Sequence, residues 1–235
     1  MQAARMVKGK SLGERNGAER RTQAERSGAT RAALMVAARE LFSTKGYAGS
    51  GREEIVALAG VTRGALQHHF GDKRSLFVAV YEEIEQQVVA AVAVAALATG
   101  DDPMEHLRGG CQAYLDAVLD PAVQRICAVD GPAVLAADVR QEITDRYALG
   151  LVREAVQKAV DTGAIDEAPV EALTRMLLAG VVAAAQFVAT SADPAAARAE
   201  AGRTVDLLLD RLRGADAPPT DVRRADARRG DRVTR

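Results

Sequence analysis

The longest continuous pattern of apolar and polar positions runs from Thr30 to Phe77 and divides into three short helical stripes. Leu34, Ala37, Ala38, Leu41 and Phe42 recur at the i, i+3, i+4, i+7, i+8 spacing of one helical face. That stripe stops at Lys45 and Gly46, with the glycine placed to end the helix. Ser50 stands where an N-cap would open a second helix, whose apolar face is Ile55, Leu58 and Ala59 and which Gly60 closes. A third helix, from Thr62 to about His69, buries Leu66 and Phe70 and turns Arg63, Gly64, Gln67 and His68 outward. The turn between the second and third helices leaves room only for crossed helices. This is the helix-turn-helix arrangement, in which the last helix enters the major groove of DNA.

A fourth helix begins at Asp72 and carries Leu76, Phe77, Val80, Tyr81, Ile84 and Val88 toward Leu97, where Thr99 and Gly100 stop it. It is long enough to join two domains. Asp102-Pro103, Asp120-Pro121 and Asp193-Pro194 each pair an N-cap residue with a proline at the first helical position, and Glu167-Ala168-Pro169 approximates the same device. The spacing predicts helices near 103–119, 121–128, 132–162, 169–190 and 194–213, the third broken around Asp138. No run alternates as a strand would, so the fold class is all-α: an N-terminal three-helix domain joined by a long helix to a larger helical domain. The divisions are a basic arm at 1–27, the helix-turn-helix at 28–75, the helical domain at 76–213 and a tail at 214–235. The arm and the tail lack a hydrophobic face and are expected to be disordered. An arm of this kind lies along phosphates, enters the minor groove, or is simply a solvated tail.

Composition supports the division. The 235 residues are 48% apolar, enough for a sizeable core, and aromatics at 3% point to helices packed through small aliphatic side chains. The net charge of −1 hides an asymmetry: residues 1–75 carry fourteen Lys or Arg against seven Asp or Glu, whereas 76–213 carry eleven against twenty-one. The first segment suits phosphate and the second repels it. The apolar run from Met176 to Ala189 is interrupted by Gln186 and falls short of the ~20 residues that span a bilayer, so it is expected to be a buried helix.

Other chemistries find little support. Two cysteines, Cys111 and Cys127, are too few for a disulfide framework, and no apolar leader opens the chain, so a reducing cytoplasm is the expected compartment. A redox pair would need their Cα atoms within ~7 Å, and inert thiols are the preferred reading. His68 and His69 are adjacent on a helix and point about 100° apart, so with only His106 besides, no metal site is expected. The glycine-rich stretch 46–51 follows a helix rather than a strand and has neither a dinucleotide nor a nucleophile-elbow spacing. No cofactor and no enzymatic activity are expected.

Gly46-Tyr47, Ile55, Ala59-Gly60-Val61, Arg63-Gly64-Ala65-Leu66, His68-His69-Phe70 and Lys73, over a continuous run, resemble the DNA-binding domain of the TetR family of transcriptional regulators. The resemblance implies that Thr62, Arg63, Gly64, Gln67, His68 and His69 meet the major groove or its phosphates, and that Lys73 clasps a phosphate. Arg63 can pair with phosphate or guanine, Gly64 lets the backbone approach, and Ala65 is small enough to meet a thymine methyl. Two positions depart from the family pattern. Gln67 stands where tyrosine is common and can pair with adenine, and Arg52 stands where a small or apolar residue is usual and adds either a phosphate contact or a solvated charge.

Residues 127–135 and 140–147 resemble one group of TetR-like regulatory domains. The family implies a homodimer, whose last two helices form a four-helix bundle with their mates, and a cavity for a small-molecule effector. For the interface the candidates are Leu173, Leu177, Gly180, Val181 and Ala184 on one helix and Val205, Leu208, Leu209 and Leu212 on the next. For the cavity they are Leu107, Cys111, Tyr114, Leu115 and Val118, then Tyr147 and Leu151, then Gln186 and Phe187. The functional expectation is a sequence-specific regulator, a repressor released from a palindromic operator by an effector. An effector-independent regulator controlled by a protein partner, and a helical interaction module without DNA activity, remain the alternatives.

Overall fold

The structure, a computed structural model, describes residues 11–213, with side chains described from residue 23 onward. Among the described residues every regular element is a helix, and one isolated antiparallel bridge joins Ile165 to Arg213. The elements are α1 (Ser11–Gly49), α2 (Arg52–Leu58), α3 (Arg63–Phe70), α4 (Lys73–Leu97), α5 (Pro103–Ala117), α6 (Pro121–Val123), α7 (Gly131–Val134), α8 (Ala137–Thr144), α9 (Gly150–Asp161), α10 (Val170–Thr190) and α11 (Pro194–Leu212). Two π-helical turns, Gln124–Asp130 and Asp145–Leu149, lie before α7 and α9. The chain divides into two compact units that meet in sequence between Tyr81 and Glu82, inside α4.

In the first unit α1 begins at Ser11, far ahead of the stripe that starts at Leu34. Residues 11–27 of the expected disordered arm are therefore helical, while 1–10 lie outside the described residues, as does the tail at 214–235. The segment is rich in Arg and Glu, good helix formers that need no buried face, and it extends a helix already nucleated by packing. Gly46, at φ 72°, interrupts α1 where the stripe predicts its end. Leu34, Ala38, Phe42, Ile55, Leu66, Leu76 and Phe77 are buried, and Phe42, Tyr47 and Phe77 stack with ring centroids 5.0–5.8 Å apart.

Helix α2 departs from expectation in detail. Ser50 is buried and its hydroxyl donates to the Gly46 carbonyl at 2.7 Å, so Gly51 takes the cap position without a side-chain bond. Val56 joins Ile55 in the core, whereas Leu58 is 48% exposed. With seven residues, the helix is too short for spacing alone to fix which stripe faces inward.

In the second unit the caps form as read. Asp102 accepts from the Met104 backbone N–H, Asp120 from Ala122 and Val123, and Asp193 from Ala196. Helix α10 is the exception, with Pro169 itself at the cap and no side-chain bond. The predicted helix 121–128 forms, running on through α6, the first π-helical turn and α7 to Val134, and the predicted helix 132–162 breaks near Asp138 as expected, where the chain extends at Leu135 and Ala136.

Met104, Leu107, Val156, Ala159, Ile165 and Leu209 form the core of this unit. A polar ladder binds α5 to α11: Arg108 pairs with Asp206 and Asp210, Gln112 donates to Asp206 and to the Gly202 carbonyl, and Arg198 pairs with Asp116. A Cβ at Gly202 would lie 2.8 Å from the Gln112 Oε1, so the glycine permits this close approach. Helix α10 has the length and composition to cross a membrane, with mean hydropathy 1.7, yet it is not the buried helix expected, since only 28% of its apolar window is buried. Its outward side carries Met176 and Phe187.

Candidate nucleic-acid interface and apolar cavity

The turn before α3 is made by Gly60, at φ 65°, and closed by the Val61 N–H on the Val56 carbonyl at 3.1 Å. The Thr62 hydroxyl then accepts from the Ala65 N–H at 3.3 Å, which caps α3 as the sequence predicts. Leu66 is the single fully buried residue of α3, with Ala65, His69 and Phe70 partly covered and the Arg31 guanidinium 5.1 Å over the Phe70 ring. Thr62, Arg63, Gly64, Gln67 and His68 are exposed on one continuous surface, and Arg52 is exposed at the start of α2. Around Gly64 the nearest atom to an added Cβ would be the Thr62 Oγ1 at 3.9 Å, so its outer face is open.

Two charged residues of this surface are already engaged. Arg63 pairs with Glu53 at 3.1 Å, and both side chains are about two-thirds exposed, so the pair is weak and exchangeable. Lys73 is bound more firmly: its Nζ donates to the Tyr47 carbonyl at 2.9 Å and the Ser50 carbonyl at 3.0 Å, and it lies 4.1 Å from the centroid of the Tyr47 ring. Burial, joined by the Asp72 carboxylate and opposed by Arg74, pushes the Tyr47 phenol up. The phosphate-clasping lysine of the sequence reading thus holds the turn that precedes α2.

The second unit contains a cavity of about 370 Å³. Helix α4 supplies Glu85, Val89, Val92, Ala93, Ala96 and Leu97; α5 supplies His106, Leu107, Gly110, Cys111 and Tyr114. Thr144 and Ala148 contribute from the second π-helical turn and its approach, α9 gives Leu151, Val152, Glu154, Ala155 and Lys158, and α10 gives Leu177, Leu178, Val181 and Val182. Burial, with Asp206 adding and Arg108 opposing, pushes the Cys111 thiol up to about 11, so the thiol is neutral.

Of the cavity residues read from sequence, Leu107, Cys111, Tyr114 and Leu151 line it. Leu115 and Val118 are buried outside it, Gln186 and Phe187 are exposed on α10, and the Tyr147 hydroxyl donates to Glu82, which also pairs with Arg146. The α4 wall was missed. Its signal is the stretch 88–97, apolar on every side and therefore without a face for water alone.

The interface residues fare differently. Leu209 is buried, Leu173, Leu177, Val205 and Leu212 pack on the core of the same chain, Val181 lines the cavity, and Ala184 is half-buried. Only Gly180 and Leu208 of that set are exposed, and the open apolar face consists of Met176, Phe187, Leu207 and Leu208 beside Gly180 and Ala183. Helix α10 is apolar all round, so periodicity picks its inward stripe first.

Among the described residues no group of three or more His, Cys, Asp or Glu is arranged to hold a metal ion. Residues 34–80 match the bacterial regulatory proteins of the tetR family, and residues 104–212 match the tetracyclin repressor-like C-terminal domain. The crystal structure of a TetR-family transcriptional regulator from Pectobacterium atrosepticum is 32% identical, with a TM-score of 0.72 over 83% of this chain and 98% of that one. The HTH-type transcriptional regulator CymR of Pseudomonas putida is 32% identical over 128 residues, 53% of this chain and 63% of CymR, less than two thirds of its length. FadR from Bacillus subtilis in complex with stearoyl-CoA has the same fold, at 16% identity and a TM-score of 0.60 over 74% of this chain and 96% of FadR.

Proposed function

Because the chain belongs to the TetR family, we propose that it is a homodimeric, sequence-specific DNA-binding regulator in the cytoplasm, a repressor released from its operator by a small molecule. The observation that carries this reading is α3: a capped eight-residue helix anchored by Leu66, with Thr62, Arg63, Gly64, Gln67 and His68 turned to solvent. A helix held this way can enter the major groove, where Arg63 meets guanine or phosphate and Gln67 meets adenine. Ala65 and His69 are partly covered and reach only the edge of such a contact, and Arg52 adds a phosphate contact from α2.

A second copy of the chain covers the open face of Met176, Phe187, Leu207 and Leu208, which explains why an apolar helix is left so exposed. Two reading helices then fall about one turn of DNA apart, ~34 Å, and read a palindrome. Helix α4 carries Lys73 at its start and cavity residues from Glu85 to Leu97 farther on, so a ligand that favours one conformation of α4 changes the operator-binding form. A hundredfold shift of an evenly poised equilibrium takes ~2.7 kcal/mol of preference.

Fluorescence anisotropy on a labelled fragment from upstream of the gene, against unrelated DNA across a salt series, tests the reading. Preference for the upstream fragment, abolished by Arg63→Ala, supports it; indifference of DNA binding to Arg63→Ala overturns it.

A further inference from the structure

The wall of the cavity constrains what it can hold. Its surface is built mainly from Val, Leu and Ala of α4, α9 and α10, and the Tyr114 phenol and the His106 imidazole are its two rings. A planar aromatic ligand would therefore find few rings to stack on, whereas an alkyl body meets matching dispersion contacts on every side.

The charged groups of the wall are few and mixed. Glu154 and Lys158 lie one helical turn apart on α9, both exposed and therefore at the rim, and Glu85 is half-buried. No arginine lines the cavity, and its lysine, Lys158, is exposed at the rim, so the interior offers no fixed cation to a carboxylate or phosphate, and Glu85 repels both. An ion of either sign would lose hydration for little return. The neutral Cys111 thiol, the Tyr114 and Thr144 side chains and the His106 ring, bonded to the Gly100 carbonyl, supply the other polar groups.

Size sets the last limit. A dry apolar cavity of about 150 Å³ accommodates benzene. At about 370 Å³ this cavity holds roughly twelve non-hydrogen atoms, taking about 30 Å³ for each as for a water molecule.

We propose that the effector site is selective for an uncharged, aliphatic molecule of about ten to fourteen non-hydrogen atoms carrying one hydrogen-bonding group, such as a medium-chain alcohol. This rests on the reading of the second unit as an effector domain. The chain then senses a small lipophilic neutral compound and is blind to the corresponding acid.

Isothermal titration of the full-length protein with 1-hexanol, 1-octanol, 1-decanol, decanoate and decylamine, each below its micelle concentration at pH 7.5, tests this. Ala93→Phe and Ala155→Phe, which fill the cavity from α4 and α9, are titrated beside it after their folding is checked by thermal melting. The expected result is alcohol affinity rising about fourfold per methylene, decanoate and decylamine at least tenfold weaker than decanol, and loss of binding in whichever filled variant folds. Equal or tighter binding of decanoate or decylamine, lost on filling, would overturn the selectivity and leave the effector domain standing. Absence of all binding, or binding that survives filling, would overturn both.

Discussion

Lys73 and Tyr47, twenty-six residues apart, are joined twice: the lysine Nζ lies 4.1 Å from the centroid of the tyrosine ring and donates to the same residue's carbonyl. The start of α4 is thereby tied to the turn from which α2 departs.

Lys73 is expected to support DNA binding by positioning rather than by charge. Lys73→Met should lower stability by about 1–3 kcal/mol, for the loss of a cation–π contact and two charge-assisted bonds. Its DNA affinity should fall while the slope of log K against log salt stays unchanged. Arg63→Ala should reduce that slope by about 1 if the guanidinium meets phosphate. Anisotropy across a salt series separates the two outcomes.

Glu53 competes with DNA for Arg63. Glu53→Gln should tighten binding at low salt, because Arg63 no longer leaves a partner to reach the duplex and one acidic group is gone. The gain should be within about 1 kcal/mol, the usual worth of an exposed pair, and should shrink at high salt.

The neighbouring leucines of α11 should behave oppositely. Leu208 is 58% exposed and Leu209 is 1% exposed. Leu208→Glu is expected to give a folded monomer in sedimentation velocity, whereas Leu209→Ala should cost about 2–5 kcal/mol in chemical denaturation without acting on the subunit contact.

Acid should unfold the second unit in a defined window. Burial works to raise the Asp102 carboxyl, but the Met104 N–H and Arg213 outweigh it and hold the group below its ordinary 3.8. A depressed folded value means that the stabilisation is present above about pH 4 and is lost as pH falls through the folded value. The melting temperature should hold steady from pH 7 to 5 and drop below 4, and Asp102→Asn should flatten that drop while lowering stability at pH 7.

Much of this was legible in the sequence, and the exceptions share a cause. The reading helix was legible because Gly60, Thr62 and Leu66 are local signals whose meaning does not depend on distant packing. The caps at Asp102, Asp120 and Asp193 were legible for the same reason. The bonds from Lys73 to the Tyr47 and Ser50 carbonyls were not legible, because those partners lie 26 and 23 residues away and nothing in a linear pattern brings them together. Leu209 and Leu208 are neighbours on a helix apolar on more than one side, so which of them faces the chain's own core is decided by α5 and its Gln112 ladder. The cavity wall from α4 was hidden because small aliphatic residues carry no mark that distinguishes a filled core from an empty one.

Helix α3 begins after Gly60 and ends at Gly71, both at positive φ, and gives the core one side chain, Leu66. Its outward positions, apart from the capping Thr62, can be rewritten without disturbing the packing of the unit. A few substitutions at Arg63, Gln67 and His68 would then change the operator at almost no cost in stability, which makes the reading surface an exchangeable cassette on a fixed mount.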